Sequence, residues 1–117
     1  MDPVTCIFCT PGSTDIILEN EFAYARYDKY PVSPGHLLII PKRHISSIFH
    51  TTGDEMAALW RLIRDAKDFL DRNYSPDGYN IGINDGVPAG QTVMHLHIHV
   101  IPWYSGDMED SKGGSKE

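Results

Sequence analysis

An alternating run of histidines near the C-terminus constrains this chain more than any other feature. His95, His97 and His99 are separated by single apolar residues, and the run continues into Val100 and Ile101. Because alternate residues of a β-strand point to the same face, the pattern predicts a strand with three imidazoles on one side. Each buried ring needs its two polar nitrogens hydrogen-bonded, charged or metal-bound. A fold does not require three histidines on one face of a strand, so the run indicates a chemical function.

The bulk properties indicate one soluble domain. The chain has 117 residues, 41% of them hydrophobic, and a formal net charge of −6. That charge argues against a DNA or RNA polymer as partner, since polymer binding needs a basic surface. No apolar run approaches the roughly 20 residues of a membrane span. The first residues lack a signal-peptide pattern, so we expect a cytoplasmic protein without membrane contact.

Periodicity and turn residues predict an α+β fold with a mostly antiparallel, five-stranded sheet and one long helix. The predicted strands are Asp15–Glu19, Phe22–Tyr27, His36–Ile40, Tyr79–Ile83 and the histidine strand Met94–Pro102. The domain is expected to occupy residues 1–104. Residues 105–117 are rich in glycine, serine and charge, which is typical of a flexible tail.

The long helix has a clear predicted start. Thr52 and Glu55 have the spacing of a capping box, and the helical pattern extends to about Asn73. One face carries the predicted apolar stripe: Met56, Leu59, Trp60, Ile63 and Leu70. This stripe fits either the domain core or a dimer interface.

Three motifs in order resemble the histidine triad family of nucleotide hydrolases and transferases. His95 to Ile101 resembles the triad itself, the run from Pro34 to His44 resembles the first-half motif, and Asn84–Gly86 with Gly90–Val93 resembles the preceding loop. The resemblance covers nearly the whole chain, from about Cys6 to Tyr104. It implies a homodimer and a purine nucleotide substrate.

A neutral imidazole attacks phosphorus well when its other nitrogen donates to a fixed acceptor. His97 is the central ring, and the family's middle histidine is the nucleophile, so we assign that role to His97. His99 would contact the phosphate and protonate the leaving group. The resemblance brings His36 into the phosphate site. Gln91 and Thr92 could donate to phosphate or leaving-group oxygens.

The nucleotide would be held by residues elsewhere in the chain. In related proteins the acid matching Asp28 binds the ribose hydroxyls; alternatively it is a solvated loop acid. Asn84 could also donate to the phosphate, and Ile7 and Phe8 could form the floor of a purine pocket or belong to the core. Arg26 departs from the family, which often has a large apolar residue beside the base.

Cys6 and Cys9 form a Cys-X-X-Cys unit. In a reducing compartment this unit indicates metal or redox use rather than a structural disulfide. A tetrahedral zinc site needs two more ligands. The resemblance implies that these are His44 and His95, giving a structural zinc ion. A metal-free unit and a thiol redox pair remain alternatives, and His50 is predicted to be a surface residue.

The sequence thus predicts an enzyme that cleaves at the α-phosphate of dinucleoside polyphosphates or nucleoside phosphoramidates. The intermediate would be a nucleotidyl-histidine, and a nucleoside monophosphate would be released. The alternatives are a zinc-stabilised nucleotide-binding adaptor without turnover, a merely structural or metal-binding histidine row, a metal-dependent β-barrel enzyme, and a thiol redox protein.

Overall fold

A computed structural model describes residues 5–106. Its sheet contains β1 (Leu18–Glu19), β2 (Ala23–Tyr27), β3 (Leu37–Pro41), β4 (Gly78–Ile83) and β5 (Ile98–Trp103). The strand order is β1-β2-β3-β5-β4, and every neighbouring pair is antiparallel. The predicted α+β fold with one long helix is confirmed. The predicted tail lies almost entirely outside the described residues.

Helix α1 (Gly53–Tyr74) lies across one face of the sheet. Leu59 and Leu70 are buried as predicted, but Met56 and Trp60 are 42% and 58% exposed. Ile63 also packs against the core, so the predicted stripe was right for three of its five residues. In place of Met56 and Trp60 the sheet receives Ala58, Leu62 and Ala66. Small alanines let the helix approach the sheet closely, and a search for large apolar residues overlooks them.

The start of α1 is as predicted. The Thr52 hydroxyl accepts from the Glu55 backbone N–H at 3.1 Å, and the Glu55 carboxylate accepts from the Thr52 N–H at 2.8 Å. Arg43 adds two bonds of 2.7 and 2.8 Å to the same carboxylate. The helix N-terminus is thereby joined to the segment that follows β3.

Gly35 sets the close approach between α1 and the start of β3. Its φ is +90°, and a Cβ there would lie 3.0 Å from a Leu70 methyl group and 3.3 Å from the Tyr74 ring. Only glycine combines this backbone conformation with that space. The following residue, His36, is buried at the same place.

The histidine run is only partly a strand. β5 begins at Ile98, so His95 and His97 precede it, contrary to the prediction. In the β3–β5 register the position opposite Leu96 is Pro41, which has no N–H to extend the ladder. Leu96 instead donates to the Ile45 carbonyl at 2.7 Å.

The predicted alternation nevertheless holds. The intervening residues Leu96, Ile98 and Val100 pack in the core beneath α1. The imidazoles lie on the opposite face of the sheet, beside the N-terminal segment that contains Phe8. Among residues 5–106, none of the helices has the length and apolar composition of a membrane-spanning segment.

Candidate functional site

The tautomer of His97 follows from one hydrogen bond. Its Nδ1 lies 2.8 Å from the backbone carbonyl oxygen of His95, and a carbonyl can only accept. Nδ1 therefore carries the hydrogen, and Nε2 of the neutral ring carries a lone pair. The ring is 8% exposed and lines a cavity of about 230 Å³. A fixed donor on one nitrogen and a lone pair on the other are what a nucleophilic imidazole requires.

His36 and His99 form a hydrogen-bonded pair in which the positions of the hydrogens can also be assigned. The Val32 backbone N–H donates to Nδ1 of His36 at 3.1 Å, so the hydrogen of neutral His36 is on Nε2. That nitrogen lies 3.0 Å from Nδ1 of His99 and 3.3 Å from a carboxylate oxygen of Asp28. When His99 accepts this bond, its own hydrogen is on Nε2. A metal ion between these three side chains is disfavoured, because Nε2 of His36 is already protonated.

Burial sets the charge of this pair. It lowers the pKa of His36, and the Asp28 carboxylate partly opposes that shift. Burial also lowers the pKa of His99, with smaller contributions from His97 and His36 in the same direction and an opposing one from Asp28. Both rings are therefore neutral at pH 7 in the free protein, and Asp28 favours their charged forms.

The cavity beside His97 gathers most of the predicted nucleotide-binding residues. Its lining includes Ile7, Phe8, Asp28, Asn84 and Thr92. The Phe8 ring is 5% exposed and meets the His97 ring edge-on, with centroids 5.1 Å apart. Ile7 is 52% exposed, so it borders the cavity and is not plain core. Asp28 is not a freely solvated loop acid, since it faces His36.

Arg26 also lines this cavity. Its guanidinium lies 5.6 Å from the centre of the Phe8 ring, in a cation–π arrangement, and 3.6 Å from the Asp15 carboxylate. The lining of the cavity therefore includes a positively charged side chain.

Gln91 has a different place from the one predicted. Its carboxamide nitrogen donates to the carbonyls of Ser46 and Val93 at 2.9 and 3.0 Å, and its oxygen accepts from the Gly86 N–H at 2.7 Å. The side chain is buried and fully used within the protein. It therefore holds the loop in place and has no free donor for a phosphate.

Asp85 also holds this loop in place, a role that was not predicted for it. Its carboxylate accepts from the Ser47 hydroxyl at 3.1 Å and from the Ile48 backbone N–H at 2.9 Å. Together with Gln91 it ties the loop after β4 to residues 46–48. Its position inside the Asn84–Gly86 motif was the available signal. His50 is exposed, as predicted.

Cys6, Cys9, His44 and His95 form one cluster, with candidate ligand atoms all within 4.8 Å of one another. Nδ1 of His95 lies 3.3 Å from the Cys6 sulfur and 3.2 Å from Nδ1 of His44. The Cys9 sulfur lies 3.1 Å from Nδ1 of His44. A tetrahedral zinc ion with ligands at about 2.0–2.3 Å spaces them about 3.3–3.8 Å apart, so the cluster fits zinc closely.

The chemistry of these donors agrees with the spacing. Nε2 of His95 donates to the Pro41 carbonyl at 2.8 Å, which leaves the lone pair on Nδ1, facing the sulfurs. Burial and the neighbouring Cys6 raise the pKa of the Cys9 thiol to about 11. A bound zinc ion would reverse that shift by favouring the thiolate.

A family model described as the HIT domain matches residues 12–106. The chain belongs to the HIT domain family. Among solved structures, a Zn-bound HIT family protein from Mycobacterium smegmatis is 33% identical, with a TM-score of 0.80; the match covers 91% of this chain and 80% of that one. The HIT family protein of Bacillus anthracis is 34% identical, with a TM-score of 0.78, over 86% of this chain and 74% of that one.

HIT relatives with named activities are also similar. The asymmetrical bis(5′-nucleosyl)-tetraphosphatase of Schizosaccharomyces pombe is 33% identical over 86% of this chain, which spans 56% of that enzyme. The bis(5′-adenosyl)-triphosphatase of Dictyostelium discoideum is 35% identical over 84% of this chain and 66% of the enzyme. The family thus includes dinucleoside polyphosphate hydrolases.

Proposed function

We propose that this protein is a nucleotide hydrolase or transferase that forms a nucleotidyl-histidine intermediate on His97. The substrate would be a purine nucleotide with a leaving group on its α-phosphate, either a dinucleoside polyphosphate or a nucleoside phosphoramidate. The observation that carries the proposal is the His97–His95 hydrogen bond, which places the lone pair of the neutral ring on Nε2, in a side chain that lines the cavity. The named activities of HIT relatives support the same class.

The proposed reaction has two displacements. Nε2 of His97 attacks the α-phosphorus, and the bond to the leaving group breaks. His99, charged once the anionic phosphate is bound, gives its Nε2 proton to the departing atom. Water then attacks phosphorus, the bond to His97 breaks, and the water's proton passes to His99. Asp28 supports the charged form of His99 because its carboxylate lies 3.9 Å from Nδ1 of that ring.

The remaining residues would bind and orient the nucleotide. Ile7 and Phe8 would contact the base, Asp28 the ribose hydroxyls, and Asn84 and Thr92 the phosphate oxygens. His36 would act mainly through His99: its Nε2–H points to Nδ1 of neutral His99, and in the charged form that nitrogen would face the Asp28 carboxylate instead. Gln91 would act by holding the loop that carries Thr92.

We further propose that Cys6, Cys9, His44 and His95 hold a structural zinc ion. A closed four-ligand site would tie the N-terminal segment to the sheet and supply folding energy without taking part in the reaction. It would also fix His95, whose carbonyl orients His97. The Zn-bound relative supports this assignment.

A homodimer is proposed from the exposed side of β4. Among the described residues, β4 pairs only with β5, so its other edge is open. Trp60 and Asp71 lie on the same side of α1, three turns apart, and the Tyr79 hydroxyl of β4 donates to Asp71 at 2.6 Å. The exposed Trp60 would therefore lie beside the open edge. We also propose a cytoplasmic location, because a reducing compartment keeps cysteines available as metal ligands.

The test is a panel of adenylated and guanylated phosphoramidates and dinucleoside polyphosphates, assayed for monophosphate release. Release from any of them that depends on His97 is expected. If none is cleaved while nucleotide still binds, the protein is the zinc-stabilised adaptor instead. Disulfide reductase activity lost in Cys6→Ser would indicate a redox protein.

A further inference from the structure

The sheet face that carries the imidazoles also carries an arginine. In the strand registers, Arg26 of β2 lies opposite Leu38 of β3, and Leu38 lies opposite His99 of β5. Because directly paired residues of neighbouring strands point to the same face, the three side chains form one row. All three line the His97 cavity. The row therefore runs from the candidate phosphate site to a guanidinium two strands away.

The length of this row matches that of a nucleotide. Neighbouring strands are about 4.8 Å apart, so the backbones at Arg26 and His99 are separated by about 10 Å. A nucleoside monophosphate covers a similar distance from its phosphorus to the far edge of a purine. Asp28, proposed to bind the ribose hydroxyls, lies two residues beyond Arg26 and lines the same cavity. With the phosphate beside His97, the base would therefore lie at the Arg26 end.

The surface that a base would meet there is formed mainly by Ile7 and Arg26. The Phe8 ring is 5% exposed, because the guanidinium carbon of Arg26 lies 5.6 Å from its centre and the His97 ring 5.1 Å from it. Ile7 is 52% exposed and lies next to the guanidinium. A base would thus contact an apolar side chain and a planar hydrogen-bond donor together.

The Arg26 guanidinium has donors to spare. It carries five N–H groups on a side chain that is 11% exposed. Its Nη1 lies 3.4 Å from the Ile7 carbonyl oxygen and its Nη2 lies 3.6 Å from the Asp15 carboxylate. Both distances exceed the range of about 2.7–3.2 Å that is usual for such bonds. The adjacent Tyr24 hydroxyl can accept a third N–H. Even with all three partners, two N–H groups remain, which is enough for a bidentate pair.

Purines differ in what they offer to a pair of donors. Guanine and hypoxanthine present O6 and N7 side by side, and both atoms accept hydrogen bonds. Adenine presents N7 beside its N6 amino group, which donates. The fork of a guanidinium fits two adjacent acceptors, whereas an amino group in the O6 position would set donor against donor.

We propose that Arg26 selects the base by donating two hydrogen bonds to O6 and N7, so that guanylates and inosinates are preferred over adenylates. This inference rests on the proposed function and deepens it, since it concerns the base bound at the same site. Guanylates and adenylates carry equal charge, so the preference comes from the direction of hydrogen bonds. The Asp15 carboxylate near the guanidinium balances its charge without occupying its remaining donors.

Binding of monophosphates to the unaltered protein tests the preference without turnover. In calorimetry at pH 7, GMP and IMP should each bind about 10-fold more tightly than AMP. IMP lacks the N2 amino group of GMP, so tight binding of IMP assigns the preference to O6 and N7. A 7-deaza-GMP, with carbon in place of N7, should bind about 5-fold more weakly than GMP. Equal affinities for GMP and AMP, or for IMP and AMP, would overturn the proposal.

Substitution of Arg26 assigns the preference to its side chain. Arg26→Leu should bring the ratio of GMP to AMP affinity to about 1, and Arg26→Lys should also lower it, because an ammonium lacks the fork. Lys29→Met is the matched control: it removes another cation that lines the cavity and should leave the ratio unchanged. Equal weakening of GMP and AMP in Arg26→Leu, as a stacked or phosphate-bound guanidinium would give, contradicts the proposal.

Failure of this proposal differs from failure of the proposed function. If GMP, IMP and AMP all bind with equal affinity, the nucleotide site stands and the role of Arg26 is wrong. If none of them binds, the nucleotide site itself is wrong and both proposals fail. The comparison of ligands uses the unaltered protein, so its result does not depend on whether a variant folds.

Discussion

The side chain of His97 donates to the backbone carbonyl of His95, 2.8 Å away. The side chain of His95 belongs to the Cys₂His₂ cluster, so one residue serves the candidate metal through its ring and the candidate nucleophile through its backbone. The stability of the N-terminal segment and the orientation of the candidate nucleophile are therefore physically linked.

Replacing the nucleophile should separate chemistry from binding. We expect His97→Ala to lower monophosphate release by more than about 10⁴-fold, since the proposed intermediate forms on Nε2 of His97. Nucleotide affinity, measured by calorimetry, should change far less. Turnover close to that of the unaltered protein would place the nucleophile elsewhere.

The proposed zinc site predicts how many zinc ions each chain contains. Elemental analysis of protein purified without chelator should give about one zinc per chain. Cys9→Ser should lower both the zinc content and the thermal midpoint, because three ligands hold the ion less tightly. Ser13→Ala, an exposed change in the same region, should alter neither. A metal-free protein whose stability is unaffected by Cys9→Ser would remove the metal from this account.

The buried pair predicts a pH dependence of stability. Burial lowers the pKa of His36 below its ordinary value of 6.5, so the unfolded chain binds a proton that the folded one excludes. The contribution of His36 is complete above pH 6.5 and is lost as pH falls below it. His36→Asn, whose side-chain oxygen can still accept from Val32, should show a shallower acid decline in urea unfolding. An identical decline in both proteins would contradict this.

The helix start predicts a stability cost. Thr52→Ala should lower the unfolding free energy by about 1 kcal/mol, because the Glu55 N–H loses its acceptor. Thr52→Ser keeps the hydroxyl and should cost much less. Equal losses in the two variants would show that the capping bond is not the cause.

Protonation of Glu55 should cause a second loss of folding stability at acid pH. Its hydrogen bond with Arg43 lowers the pKa of Glu55 to about 2. A depressed carboxyl pKa stabilises the fold above the unfolded value of 4.5 and loses that contribution as pH falls toward 2. Glu55→Gln should therefore be less stable at pH 6, and its disadvantage should shrink by pH 3. A disadvantage that stays constant with pH would exclude this linkage.

The features that the sequence predicts well are those set by local chemistry. The capping box at Thr52 and the alternation around His97 depend on near neighbours, and both hold in the structure. The predicted helix stripe was only partly right, because burial depends on where the sheet lies, and the sheet buries Ala58 rather than Trp60. The predicted start of β5 was wrong because Pro41, on β3, ends the hydrogen-bond ladder between the two strands.

The candidate site likewise has features that the sequence predicts and features that it does not. Sequence motifs led to the clustered Cys6 and His95 and to the cavity residues. They could not give the role of Gln91, whose three hydrogen bonds join distant loops. Nor could they give the tautomers of His36 and His97, since each is set by a backbone group whose position only the fold defines.

The central claim is that His97 bonds covalently to phosphorus, and intact-protein mass spectrometry tests it most directly. The protein should be mixed with a slowly cleaved adenosine phosphoramidate, quenched without acid and digested for site mapping. We predict an adenylyl adduct on His97 that is absent from His97→Ala. No adduct under conditions of measurable turnover, or an adduct on another residue, would contradict the account.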